Sequence, residues 1–251
     1  MKRWSGRSVA HEREGGSSGC RALELVVVDD QAALAQEAAE RFARIAEAAV
    51  TRAGGFTVAL AGGSTPTTLY TRLATEPYRS RIPWRQTRIF WGDERCVPPD
   101  HAESNYRIAN ETLLRHLPTP PEGIYRMRGE DPDPERAAAE YEQLLRSAFG
   151  LKGKALPRFD LILLGMGADG HTASLFPGSA ALRESTRLVV ATSVGTRHAV
   201  SLQANRLTLT LPVLNEASTV LFLVSGWDKA EMLHVVMDRS EERRVGKECR
   251  L

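Results

Sequence analysis

Short apolar runs, each too continuous to alternate between core and water, recur along this chain, and the stretches between them return their apolar side chains at helical spacing. Continuous runs of this kind suit strands buried on both faces of a parallel sheet, whereas a half-wet strand alternates. The clearest is Leu-Ile-Leu-Leu at residues 161–164, and FTVALA at 56–61, a strand over 84–92 and another over 219–224 read the same way. Residues 23–28 predict a first short strand and 188–192 a further one, while RLTLTL at 206–211 alternates. Between the strands, alanines, leucines, Phe42, Ile45 and Val50 recur through residues 31–52, with Asp29 and Asp30 as candidate caps and Gly54 with Gly55 as the stop. Further helices are predicted over 67–74, 105–116 and 134–149 and after Ser225 and Gly226; the Pro-rich connection 118–134 carries one strand-like piece, GIYRM. Strands alternating with helices predict an α/β fold with a mostly parallel sheet covered by helices on both faces.

A length of 251 residues fits one large domain. Hydrophobic content of 42% with 25% charged residues is ordinary for a soluble globular protein, and no apolar run approaches bilayer length, so no membrane partner is expected. The net charge of +2, from 33 basic and 31 acidic residues, is too even for a nucleic-acid surface. Cys20, Cys96 and Cys249 are scattered and lack ligand spacing, which predicts reduced thiols and a cytoplasmic location. Cys96, beside Asp93, Glu94 and Arg95, reads either as a reactive thiol or as a small buried filler. Residues 1–21, basic and then Gly/Ser-rich, predict a disordered extension before an α/β domain over 22–238. Residues 239–251 are charged without apolar periodicity and read as an atypical, truncated or foreign end.

Candidate chemistry gathers where apolar runs stop. The run at 161–164 leads into Gly165, Gly167 and Gly170, whose missing side chains permit close approach, with Asp169 and His171 in the same turn. The glycines spell G-x-G-x-x-G, yet the strand lies mid-chain, Asp and His occupy the loop, and Pro177 cuts short any long phosphate-binding helix, which argues against NAD. FTVALA leads into Gly62, Gly63, Ser64, Thr65 and Pro66, which fits either a phosphate-binding turn or a plain capped helix start. Asp93, Glu94 and Arg95 form a charged loop past a strand, either a second part of the site or a salt-bridged turn. Lys229 reads equally as an anion ligand or a solvated side chain. His101, His171 and His234 lack zinc spacing, and no metal is expected.

The segments LAGGSTPTTLY, WGDERCVPPDHAESNYR and LILLGMGADGHTASLFPG, with RLTLTLPVLNEA and SGWDKAE, resemble the 6-phosphogluconolactonases from about Val26 to about His234. That family is similar to the glucosamine-6-phosphate isomerase/deaminases and implies a modified Rossmann-like sheet. The deaminases carry an Asp-Glu-Tyr loop and a Gly-His-Ile-Ala-Phe-Asn-Glu-Pro-Gly segment; here Arg95 stands in place of the tyrosine and Ser174, Leu175 and Phe176 fill the second stretch. The resemblance implies hydrolysis of 6-phospho-D-glucono-1,5-lactone to 6-phospho-D-gluconate in the oxidative pentose phosphate pathway, without a cofactor. Hydrolysis needs a base for water, donors for an oxyanion and a grip on the remote phosphate. His171 is the implied base, oriented by Asp169 or another carboxylate, and glycine-turn N–H groups are the candidate oxyanion donors. Gly62, Gly63, Ser64, Thr65, Gly167, Arg95, Arg206 and Lys229 are the implied substrate-binding residues. The expected partner is a small sugar-phosphate lactone, with the chain a monomer or dimer. A sugar-phosphate isomerase/deaminase and a non-catalytic sugar-phosphate binding protein are the competing readings.

Overall fold

The computed structural model describes residues 23–117, 123–193 and 205–245; the extension predicted over 1–21 lies outside them. Helix α1 runs over Gln31–Ala53 because Asp30 caps it, its Oδ1 accepting from the Ala33 N–H at 2.8 Å, and because Gly54, at φ 74°, turns the chain away. Its buried stripe of alanines brings Phe42 edge-on against Phe56, with ring centroids 5.4 Å apart, and beside Trp84 at 5.9 Å. Small residues on the rest of the stripe let the helix lie close to the sheet.

Four strands, β1 (Phe56–Leu60), β2 (Thr87–Trp91), β4 (Leu161–Gly165) and β7 (Thr219–Leu223), form a parallel sheet in the order β2-β1-β4-β7. β1 is buried throughout, as its unbroken apolar run predicts. Asp160 pins the register of β1 against β4 at their amino ends, accepting from the Thr57 N–H at 2.9 Å and hydroxyl at 2.7 Å. The chain leaves β1 for β2 on one side and later fills β4 on the other. Such a reversal opens a crevice beyond the carboxyl ends of β1 and β4, where ligands bind in open α/β sheets.

A second sheet of three antiparallel strands, β3 (Asp93–Arg95), β6 (Asn205–Leu209) and β5 (Val189–Ser193), sits in the order β3-β6-β5. The alternation in RLTLTL belongs to this sheet. Asp93, Glu94 and Arg95 therefore form a strand where a loop was expected, because their backbone completes a ladder with β6. Further helices are α2 (Ser64–Leu73), α3 (Tyr78–Arg81), α4 (Asn105–Thr112), α5 (Pro134–Ala148), α6 (Leu211–Glu216) and α7 (Ala230–Val245).

Some boundaries differ from expectation. Residues 23–28 join no strand among the described residues: Leu23, Leu25 and Val27 are about half exposed, and the segment is held by the Glu24–Arg41 ion pair at 2.6 Å. An apolar run makes a buried strand only where both faces are covered. The strand predicted from residue 84 starts at Thr87, since Trp84–Gln86 form a 3-10 turn that seats Trp84 in the core. α2 begins at Ser64, so Ser64 and Thr65 lie in its first turn and Gly63 occupies the cap. α7 continues through Val245 into the stretch read as an atypical end.

Glu184 closes a turn before β5, accepting from the N–H groups of Thr186 and Arg187 at 2.6 and 3.0 Å and the Thr186 hydroxyl at 2.8 Å. The backbone N–H groups hold its carboxyl down to about 2. A depressed carboxyl stabilises the fold fully above its unfolded value near 4.3, and the contribution is lost as pH falls through the folded value. Glu184→Gln should lower the melting temperature at pH 7 by roughly 1–2 °C, given solvent screening, with the difference closing towards pH 2.

Candidate active site

The turn after β1 is fixed from below by Tyr70 of α2. Its buried hydroxyl accepts from the Ala61 N–H at 3.0 Å and donates to the Ala61 carbonyl at 2.6 Å. Gly62 and Gly63 follow, and Gly63 takes φ 99°, a conformation open to glycine. The first-turn N–H groups of α2 have no intrahelical acceptor and face the carboxyl end of the sheet, with Ser64 exposed and Thr65 buried. A Cβ on Gly62 would collide with the Asn105 carboxamide, so this glycine lets α4 approach the turn.

The turn after β4 presents the imidazole. Nδ1 of His171 lies 2.5 Å from Asp169 Oδ1, and the same oxygen accepts from the His171 N–H at 3.2 Å. Burial acts to raise the Asp169 carboxyl, but the hydrogen bonds from the His171 ring and backbone outweigh it and hold the group below its ordinary range. With Nδ1–H donated to Asp169, Nε2 is the nitrogen left to take a proton. Phe176 packs against the ring at a centroid separation of 4.4 Å. The ring is about one-third exposed, so it is both supported and reachable.

Gly167 serves this arrangement by having no side chain: a Cβ there would collide with Nδ1 and Cε1 of His171 and crowd Asp169. Its N–H donates to the His171 carbonyl at 2.9 Å and that of Gly170 to the Gly167 carbonyl at 3.0 Å. These glycine N–H groups close the turn internally and are not free as oxyanion donors. Gly167→Ala is expected to keep the fold, since the turn is at the surface, while displacing the ring and lowering kcat by about 10²-fold. Parallel thermal melts and initial rates check both halves.

On the antiparallel sheet, Arg95 of β3 and Arg206 of β6 face each other in register. Like charges directly opposite on a ladder repel. Nε of each guanidinium is buried and meets no acceptor among the described residues, while Arg95 Nη1 donates to the Glu103 carbonyl. Burial first and then the Arg95 charge lower the pKa of Arg206. Two opposed guanidinium groups, each with a buried unused donor, have the charge and donor chemistry that suits a dianion such as phosphate. Cys96 beside them is not poised as a nucleophile, because burial, reinforced by Glu94, pushes its thiol up to about 11.

Asp93 and Glu94, read from the sequence as part of a charged loop, join these turns together with Ser174 and Asn105, which the sequence did not single out. Asp93, opposite Thr208 and on the same face of β3 as Arg95, accepts from the Ser174 hydroxyl at 2.8 Å, while its backbone carbonyl accepts from Asn105 Nδ2 at 2.9 Å. Glu94 points the other way, is buried and accepts from the N–H groups of Asn105 and Tyr106 at 2.7 and 2.8 Å, which fixes the start of α4. Burial raises its carboxyl against those hydrogen bonds. Ser174 and Asn105 were legible only as members of quoted motifs; nothing in their spacing announced a shared partner. Lys229 lies in the 3-10 turn Trp227–Lys229 that follows β7, at the same end of the parallel sheet as the other turns. Met232 of α7 abuts Gly170 and so places that helix against the His171 turn.

The family described as glucosamine-6-phosphate isomerases/6-phosphogluconolactonase matches residues 29–246. A 6-phosphogluconolactonase of Synechocystis sp. is 43% identical over 190 residues, covering 76% of this chain and 74% of the relative. That of Nostoc sp. is 38% identical over 216 residues, covering 86% and 85%. Among solved structures, the 6-phosphogluconolactonase from Trypanosoma cruzi superposes with a TM-score of 0.74 at 32% identity, covering 83% of this chain and 82% of that one. Every turn described above falls inside the matched span, and on these grounds the chain belongs to the family of glucosamine-6-phosphate isomerases and 6-phosphogluconolactonases.

Proposed function

We propose that this chain is an enzyme that hydrolyses 6-phospho-D-glucono-1,5-lactone to 6-phospho-D-gluconate. The observation that carries the reading is the His171 ring, held on Asp169 at 2.5 Å, in a chain that also holds two opposed guanidinium groups with unused donors. A base alone fits many reactions; a base with a separate dianion receptor fits a phosphorylated electrophile. The relatives' names supply the lactone.

In the reaction, Arg95 and Arg206 hold the phosphate, and the first turn of α2, from Gly63 through Thr65, with Lys229 holds oxygens of the sugar acid. Nε2 of His171 takes a proton from water as the water oxygen attacks C1 of the lactone. The carbonyl electron pair moves onto its oxygen, and the Asp169 carboxylate stabilises the imidazolium. Collapse of the tetrahedral intermediate breaks the bond from C1 to the ring oxygen. The imidazolium returns the proton to that oxygen, which leaves as the hydroxyl of the open-chain acid. Because the glycine N–H groups of the His171 turn are engaged, the oxyanion falls to Lys229 and the α2 amides.

The test is hydrolysis of freshly generated lactone above its spontaneous background, followed by acid release in a pH-stat. Catalysis is expected. A folded protein that binds 6-phosphogluconate without accelerating hydrolysis would instead be a binding protein.

A further inference from the structure

The reaction as proposed uses His171 and the arginine pair but leaves the buried groups between them without a role. Ser174 is fully buried, three residues beyond His171. Its hydroxyl donates to Asp93 Oδ2 at 2.8 Å and its N–H to the Thr208 hydroxyl at 3.3 Å. Asp93 and Thr208 are cross-strand partners two positions along the ladder from Arg95 and Arg206, and Asp93 shares a face of β3 with Arg95. On the other side, the Thr172 hydroxyl donates to the Gly165 carbonyl at 2.8 Å, which ties the turn to the end of β4. Ala173, between these anchors, is held at φ 49° and is the one non-glycine residue with positive φ among the described residues. An alanine adopts that conformation only where its surroundings over-determine it.

We infer that Ser174 is a positioning residue: by anchoring to the Asp93/Thr208 pair it fixes the distance and direction of the His171 imidazole relative to the phosphate receptor. Neither Ser174 nor Asp93 touches the reacting atoms in this scheme. Asp93 is the fixed point because it also accepts from the Asn105 carboxamide, through its carbonyl at 2.9 Å and through Oδ1 at 3.3 Å, and Asn105 packs on the Gly62 turn. One buried carboxylate therefore joins the base-bearing turn, the α2 turn and the strand carrying Arg95. With Ser174 released, the strained Ala173 relaxes and the imidazole drifts while the phosphate stays bound.

The inference rests on the hydrolase reading, and its test separates the two. Wild type, Ser174→Ala and Ser174→Ala/Ala173→Gly are compared for lactone hydrolysis and for 6-phosphogluconate affinity by calorimetry. Loss of alignment should lower kcat by on the order of 10–100-fold in Ser174→Ala. KM and the product Kd should stay within about threefold of wild type, since uniform binding is untouched. Glycine accepts the φ of Ala173 without strain, so the double variant should recover part of the lost kcat. A structural defect alone would lower the active fraction and gain nothing from an added glycine. Should Ser174→Ala fail to fold, Ser174→Cys, close in size and a weaker donor, carries the same comparison with a smaller expected loss. Wild-type kcat in a folded Ser174 variant, or a loss confined to KM, overturns the inference while leaving the hydrolase reading intact. An inactive wild type overturns the hydrolase reading and this inference with it.

Discussion

Replacing His171 with alanine is expected to lower kcat for lactone hydrolysis by about 10²–10⁴-fold, the usual contribution of a positioned general base. Affinity for 6-phosphogluconate should stay within about threefold, because Arg95 and Arg206, proposed to hold the phosphate, lie on the other sheet. The size follows from the ring's support. Asp169 holds Nδ1 and Phe176 packs against the ring, so the imidazole proposed as the base has its orientation already settled. Asp169→Asn tests that support separately. It leaves the imidazole in place, removes the carboxylate that stabilises the imidazolium, and should lower kcat less than loss of the ring does. Burst-free steady-state rates on both variants, with the spontaneous rate subtracted, check the ordering. A His171→Ala enzyme running at the wild-type rate would remove the imidazole from the chemistry and leave Asp169 as a surface carboxylate.

That histidine was legible in the sequence because its neighbours are. A continuous apolar run, a glycine turn and an Asp/His pair occupy consecutive positions, so strand, turn and candidate base are all local. The parallel sheet was legible for the same reason, most of its strand positions being apolar, although β7, expected to be buried, is largely half-buried at the sheet edge, with Phe222 about half exposed. What the sequence hid depends on long-range pairing. Arg95 was predicted in a charged loop, and only its register with Arg206, 111 positions later, makes the two a candidate receptor. The antiparallel sheet was missed because β3 is a three-residue strand of charged residues, defined by its partner and not by its own pattern. Asn105 and Ser174 stayed silent for a related reason: a polar residue inside a motif gives no sign of which buried carboxylate it will meet. Conversely, residues 23–28 carried the local signal of a strand and join none among the described residues, since a ladder needs an available edge as well as an apolar run.

Arg206→Met should move stability and function in opposite directions. In the free protein, Arg206 is half-buried against a like charge and its Nε has no acceptor among the described residues. An unsatisfied buried donor costs about 1–3 kcal/mol, and an opposed like charge adds a smaller penalty. Methionine fills a similar volume without either cost, so the variant's melting temperature without ligand should rise by roughly 2–4 °C for each ~1 kcal/mol relieved. With substrate the balance reverses. Loss of a charge-assisted contact to phosphate, about 1.5–3 kcal/mol, should raise KM by roughly 10–100-fold. Arg206→Lys separates charge from shape: it keeps the cation but not the planar fork, so it should recover only part of the affinity. Thermal melts at increasing 6-phosphogluconate read both effects in one experiment. Wild type should gain about 2.7 kcal/mol at a hundredfold excess over Kd, and the curves of wild type and Arg206→Met should therefore cross. If Arg206→Met were instead less stable without ligand and equally stabilised by it, the guanidinium would be a structural element of the ladder, and the phosphate would have to be held elsewhere.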